Sequence, residues 1–334
     1  MDINCPNCAA DLKVRSDAVI HTCEYCGTAI QVSKMIAESA VTKKEKQKFI
    51  LKDHYIVRCH YTPDKAKNLL AAWISKIPGT PKNFEAETNI YSQKLIFYPL
   101  WVGQYAAETQ YRGLDDWPQF SHPAYDAPGW YEHVSYYKRE ESGEVIREYQ
   151  VPMIGVSLDK KQESLRGYIV TVTGKEYFDI KHVKAVNGEI IDSTLSYDEV
   201  RSRMRQNVAL SQEKEIRKEV KIIQSRNDNI KEGALYYIHL PVYEIQYSYK
   251  RKKYKALIDG SNGRIIHVET PITRGFRAKT LSLGAAHAAV GTLLILFFYK
   301  TIPFLSIAGG LTLIALGSIF FAINLRRKAE EKQV

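Results

Sequence analysis

The sequence predicts an α+β protein with an N-terminal zinc ribbon, a duplicated helix-plus-antiparallel-strand cytosolic domain, and a C-terminal two-helix transmembrane hairpin. Three observations predict it: paired cysteines at the start, a strand motif that recurs in the middle, and two apolar runs at the end. They divide the chain into a ribbon over 1–33, a basic connector over 34–50, α+β units over 51–190 and 191–275, and a hairpin over 281–325.

The ribbon rests on Cys5-Pro6-Asn7-Cys8, then fourteen residues, then Cys23-Glu24-Tyr25-Cys26. Two Cys-x-x-Cys pairs at this spacing read as a four-thiolate zinc site, each pair turning two sulfurs toward one point. Gly27 suits the left-handed backbone that closes such a knuckle, whereas Ala9 holds the matching place after the first pair. Short alternating runs at 12–14, 19–22 and 29–32 supply strands. About 30 residues make too small a core to stand without metal. Four ligands fill the shell, so the expected cofactor is one structural Zn²⁺ and not a catalytic one.

The end of the chain predicts where the ribbon resides. Leu281 to Tyr299 spans nineteen residues with one histidine and no formal charge, and Pro303 to Leu325 spans twenty-three with none. At about 1.5 Å per residue each can cross a hydrocarbon layer of about 30 Å. Only three residues separate them, which forces a tight hairpin. Arg274, Arg277 and Lys279 flank one side with Arg326, Arg327, Lys328 and Lys332, whereas Lys300 stands alone in the turn. The positive-inside rule then places both termini in the cytoplasm, at the cell inner membrane. Small residues at 284, 288 and 291, and at 306, 310 and 317, form stripes along which the helices could approach closely. With no signal peptide before Cys5, insertion is expected to be late and C-terminal. A reducing cytosol also suits free thiolates and the odd fifth cysteine, Cys59. The mean hydropathy of −0.30 is too polar for a polytopic membrane protein, and the net charge of +10 suits anionic lipid or nucleic acid alike.

In the middle, Tyr98-Pro99-Leu100-Trp101-Val102-Gly103-Gln104-Tyr105 aligns with Leu240-Pro241-Val242-Tyr243-Glu244-Ile245-Gln246-Tyr247. Helix signals precede both copies. Thr62-Pro63-Asp64 opens a helix over 65–76, and the capping box at Ser196 to Glu199 opens one through about Ile223. The second copy ends in a hairpin with strands at 243–249 and 254–258 and a turn of Lys250, Arg251, Lys252 and Lys253. These four, with Lys255, are candidate contacts for anionic lipid. The first copy runs into a segment over 113–150 whose proline- and aromatic-rich stretch, 117–130, is expected to be a packed loop or a docking surface.

No nucleophile elbow, zinc-protease or dinucleotide motif occurs, and Gly174-Lys175-Glu176 lacks the rest of a phosphate loop, so no enzyme is expected. His21 reads as a surface strand residue, and His287 as an intramembrane ionisable group close enough to the interface to snorkel.

Taken together, the ribbon, the doubled motif and the terminal spans resemble a family of bacterial membrane-anchored zinc-ribbon proteins. The resemblance is carried by Tyr237-Ile238-His239-Leu240-Pro241-Val242-Tyr243, the basic hairpin, and Leu257-Ile258-Asp259-Gly260-Ser261-Asn262-Gly263-Arg264. Tyr98-Pro99-Leu100-Trp101 matches the family's first strand, while Ala9 and Tyr243 depart from its usual glycine and tryptophan. Some members are encoded beside phage-shock-protein-A-like or flotillin-like membrane scaffolds. The resemblance therefore implies a non-enzymatic adaptor that recruits or regulates a cytosolic partner, with a role in membrane stress. The alternative is a tethered nucleic-acid-binding or transcription-regulating module. Against it, Asp2, Asp11, Asp17 and Glu24 outnumber Lys13 and Arg15 within the ribbon, which does not suit a phosphate backbone.

Overall fold

A computed structural model describes residues 2–14, 18–38, 46–120, 134–158, 162–166, 168, 174–298 and 300–332. The strands in chain order are β1 (Asp2–Asn4), β2 (Asp11–Lys13), β3 (Ile20–Thr22), β4 (Ala29–Gln31), β5 (His54–Val57), β6 (Thr88–Phe120), β7 (Val134–Ile154), β8 (Lys175–Tyr177), β9 (Glu189–Ile190), β10 (Ile222–Tyr249), β11 (Lys252–Asp259) and β12 (Ile265–Val268). The helices are α1 (Val32–Ala37), α2 (Pro63–Ser75), α3 (Phe84–Glu87), α4 (Ile180–Ala185), α5 (Tyr197–Glu219), α6 (Arg274–Phe298) and α7 (Pro303–Lys332).

Two compact units interleave along the chain. Met1–Arg58, Phe97–Asp159 and Leu165–Leu240 form the first, and Cys59–Ile96, Lys160–Ser164 and Pro241–Val334 the second. They do not coincide with the boundaries read from the sequence, because β6 and β10 each contribute residues to both.

The first unit holds the ribbon. β1 pairs antiparallel with β2, and β3 with β4. The last three fall on the expected runs, whereas β1 is too short to show an alternation of its own. Leu12, Val14, Ile30 and Met35 close a small core with Phe49, at the end of the connector. Residues 39–45 of that connector lie outside the described residues. Ile20 and Ala29 turn the other way, into a core shared with Trp101 of β6, Met204 and Val208 of α5, and Tyr237 of β10. Ser196 caps α5 by accepting from the Glu199 amide at 3.2 Å, and Val200, Met204, Val208 and Ile216 form its buried stripe. The helix stops at Glu219, short of the expected 223, since Val220 is already extended (φ −136°, ψ 140°). Gly113 makes that exit possible: a Cβ there would lie 2.5 Å from the Ile222 carbonyl oxygen and 2.7 Å from Val220.

The loop expected over 117–130 is corrected at its start. Residues 100–120 of β6 pair in unbroken antiparallel register with 134–154 of β7, so Trp117 to Phe120 belong to a strand. The Arg139 guanidinium covers the Trp117 ring at 4.2 Å. Pro118 omits one donor near the end of the ladder, which a strand tolerates there far better than in its centre. The rest of the proline-rich stretch, 121–130, lies outside the described residues.

In the second unit, Thr62 caps α2, which buries Ala66, Leu70 and Ile74. β11 pairs antiparallel with residues 242–249 of β10, and β12 with β11. The hairpin turn is tighter than expected. Lys250 and Arg251 alone form it, with φ of 47° and 67°, while Lys252 and Lys253 open β11. Lys255 is buried and ion-paired with Glu244 at 3.1 Å, and Gln162 donates to the same carboxylate. This corrects the expectation that Lys255 meets lipid. Grouping it with the hairpin basics suggested an exposed lysine, but the Glu244 carboxylate across the ladder holds it inside.

Two helices, Arg274–Phe298 and the Pro303–Ala322 part of α7, are long and apolar enough to cross a membrane. Only 11% and 17% of their apolar stretches are buried, whereas core helices of a soluble fold would be mostly covered. They pack through the anticipated small residues. A Cβ on Gly291 would lie 2.6 Å from the Gly310 carbonyl oxygen, and one on Gly317 2.7 Å from that of Gly284.

Candidate metal centre

The four cysteine sulfurs lie within 4.8 Å of one another. Cys5 Sγ is 3.7 Å from Cys26 Sγ, and Cys8 Sγ is 3.7 Å from Cys23 Sγ. A tetrahedron with metal–sulfur bonds of about 2.3 Å has edges of about 3.8 Å, so the cluster fits a zinc-sized ion. These separations are far beyond a disulfide bond, and all four thiols are free. The set is all-sulfur and complete, and it suits a soft or borderline divalent ion.

The same backbone device builds both halves. The Ala9 amide donates to the Cys5 carbonyl and the Cys5 amide to Ala10, and eighteen residues later Gly27 donates to Cys23 and Cys23 to Thr28. Each knuckle closes with a left-handed residue, Gly27 at φ 77° and Ala9 at φ 64°. The departure at Ala9 is therefore a strained alanine, costing about 1–2 kcal/mol. Ala9→Gly is expected to stabilise the metal-bound ribbon by about 1 kcal/mol after the loss of unfolded-state entropy restraint. Competition with a chelator should show about fivefold tighter metal retention; unchanged or weaker retention would contradict the strain.

Groups outside the four ligands tune them. In the metal-free cluster, burial pushes the Cys5 thiol up to about 12 and raises Cys23. Burial also opposes ionisation of Cys26, but the Thr28 hydroxyl and amide overcome it and bring that thiol down to about 6. Thr28 Oγ1 lies 3.2 Å from Cys26 Sγ and accepts from Asn7 Nδ2 at 2.9 Å. Cys26 is thus the thiolate that is ready at neutral pH, and capture of the ion must displace protons from Cys5 and Cys23.

The knuckles are tied to the rest of the first unit. Thr22 donates from its amide (2.9 Å) and hydroxyl (2.5 Å) to the Asp192 carboxylate, and His21 Nδ1 lies 3.6 Å from it. His21 is therefore a half-buried partner of Asp192, and not a free surface residue. Burial raises the Asp192 carboxyl, against the Thr22 hydrogen bonds. Gly27 rests against Phe178, which stacks on His54 at 4.2 Å, and the His54 ring hydrogen-bonds the Gly27 backbone. His239 packs edge-on to His54 and Phe178, fully buried, with neither ring nitrogen hydrogen-bonded. Sequence reading found none of these supports. His54 lies 28 residues beyond Cys26, Asp192 and His239 lie 166 and 213 beyond it, and no local spacing marks any of them.

Of the other sequence candidates, Cys59 lies in coil beyond β5, with Sγ 3.8 Å from the Tyr243 hydroxyl, and burial raises its thiol. His287 Nδ1 donates to the Leu283 carbonyl within its own helix, at 2.8 Å. Comparison with family models, with curated proteins and with solved structures returns no match to this chain.

Proposed function

We propose that this chain is a membrane-anchored zinc-ribbon adaptor of the bacterial family its motifs resemble, one that recruits or regulates a cytosolic protein partner at the inner membrane face. The observation that carries this reading is the combination in one chain of a closed four-sulfur centre and two long apolar helices. Four protein ligands leave no position for water or substrate, so the ion's role is to hold a surface in shape. Zinc is the ion that best fits four thiolates with tetrahedral spacing. The helix-strand-strand order that recurs around Pro99 and Pro241 supports an ancient duplication, with both prolines inside long strands.

The ribbon's exposed edge offers the contact. Tyr25, at the tip of the second knuckle, is 64% exposed, and a rigidly held aromatic is the kind of residue that anchors an interface. A phage-shock-protein-A-like or flotillin-like scaffold is the partner class the resemblance suggests; nucleic acid is disfavoured by the acidic ribbon. Crosslinking in intact cells, followed by purification of the full chain from membranes, tests this. Tyr25→Ala should lower recovery of the crosslinked scaffold about tenfold or more while metal content stays at one equivalent. The adaptor reading fails if no scaffold protein is crosslinked, or if recovery is indifferent to Tyr25→Ala and to loss of the metal. Alkaline extraction and cysteine labelling check the anchor separately: the chain should stay with the membrane, and only the 300–302 turn should label from outside.

A further inference from the structure

Within the second unit, the corner that ends α2 is packed against the start of α6. The Ile77 amide donates to the Ile74 carbonyl at 3.0 Å, and the Thr80 hydroxyl is shared between the Ile74 and Ile77 carbonyls at 3.0 and 2.9 Å. The chain thereby turns sharply, and Gly79 completes the turn with φ of 89°. A Cβ on Gly79 would lie 2.4 Å from the Phe276 ring, so glycine is what lets the backbone rest on that ring. The Thr273 amide donates to the Gly79 carbonyl at 2.9 Å and fixes the contact where α6 begins.

Trp73 belongs to this corner without joining the core. The buried stripe of α2 is Ala66, Leu70 and Ile74, whereas Trp73 is 39% exposed. Its carbonyl accepts from the Lys76 amide at 3.2 Å, which makes it part of the turn itself. Beside it Ile77 is half-buried and Pro78 exposed. We propose that Trp73 and the 77–79 turn seat in the headgroup layer of the bilayer that α6 enters, as a second lipid contact beyond the spanning helices. The proposal rests on the membrane-anchored reading above.

Depth carries the assignment. Phe276 precedes Leu281, where the apolar run begins, by five residues, about 7–8 Å along a helix. Headgroup layers are roughly 5–8 Å thick on each side of the hydrocarbon. A backbone held against Phe276 therefore stands at headgroup level when α6 crosses the bilayer, and Trp73 is one compact turn away from it. An indole has an apolar body and one N–H donor, which suits a layer that is apolar on one side and wet on the other. The tie to α6 is what selects lipid over a protein as the occupant. Charge plays no part, so the contact should form on neutral lipid and persist in salt.

Tryptophan emission reads this directly. The full chain is placed in phosphatidylcholine nanodiscs whose acyl chains carry bromine near the headgroup or near the chain end. The chain has four tryptophans, and subtracting the emission of Trp73→Phe from that of wild type isolates residue 73. Bromine near the headgroup should quench that component by about a third or more, bromine near the chain end should quench it less, and high salt should change neither. Gly79→Val drives a side chain into Phe276 and should at least halve the quenching; metal content and circular dichroism report whether this variant is folded. Should it misfold, the wild-type and Trp73→Phe comparison decides alone. An unquenched residue 73 overturns the proposal, and one that is also shielded from acrylamide assigns the corner to a protein contact instead. Quenching that salt abolishes, or that is deeper than it is shallow, overturns it as well. Co-elution with the nanodisc reports the anchor separately: a chain that co-elutes with Trp73 unquenched loses only this contact, whereas one that does not co-elute loses both readings.

Discussion

Replacing Cys5 and Cys8 together with serine is expected to abolish metal binding and to unfold the ribbon along with part of the core it shares. Four thiolates bind zinc with roughly 10–16 kcal/mol in small systems, a free energy that is inseparable from folding there. Here the consequence reaches further than a free-standing ribbon. Ile20 and Ala29 are wholly buried against Trp101, Met204 and Tyr237, and Thr22 satisfies Asp192. Losing the ribbon exposes that apolar face and leaves the Asp192 carboxyl without its donors. Burying such side chains contributes about 1.5–3 kcal/mol each, so a lowered melting temperature and weakened amide protection should extend to α5. Wild-type protein should contain close to one equivalent of zinc and the variant none. A metal-free wild-type chain with an ordered ribbon, or a variant whose amide protection is unchanged, would overturn the coupling.

Stability is expected to fall as the medium is acidified, through the buried histidines. Burial lowers the His239 imidazole from 6.5 to about 3, and burial together with His239 lowers His54 well below its ordinary value. Above pH 6.5 both the folded and unfolded chains hold these rings neutral, so the effect is absent. As pH falls further, the unfolded chain takes up protons that the folded one refuses, and stability is lost progressively until about pH 3. For His239 alone the full loss is roughly 5 kcal/mol, at about 1.4 kcal/mol per pH unit. Asp192 works in the opposite sense, since a raised carboxyl favours the folded state once protonated. His239→Phe keeps the aromatic packing and removes the titration. Denaturation of the full chain in detergent at pH 7.5 and pH 5 should show the variant losing about 2 kcal/mol less than wild type over that interval. Comparing the two chains cancels any acid release of metal that both undergo. Parallel pH profiles would show that His239 does not carry the dependence.

The sequence by itself determined the features that local spacing writes. A thiolate pair needs only its Cys-x-x-Cys turn, a cap needs a hydroxyl three residues before a free amide, and a spanning helix needs only length and apolarity. The four ligands, the caps at Thr62 and Ser196, the left-handed place at Ala9 and the stripes at Gly284, Gly291, Gly310 and Gly317 were all legible for that reason. Tertiary structure decided whatever depends on a partner distant in sequence. Trp117 and Pro118 read as loop, yet cross-strand neighbours in β7 make them strand. Lys255 read as a lipid contact, and Glu244 across the ladder draws it inside. No spacing marked His54, Asp192 or His239 as supports of the metal centre, because that role comes from the approach of β5, β10 and the chain after β9 to the ribbon. A charged or polar group is placed by the partner that compensates its desolvation, and only the folded chain supplies that partner.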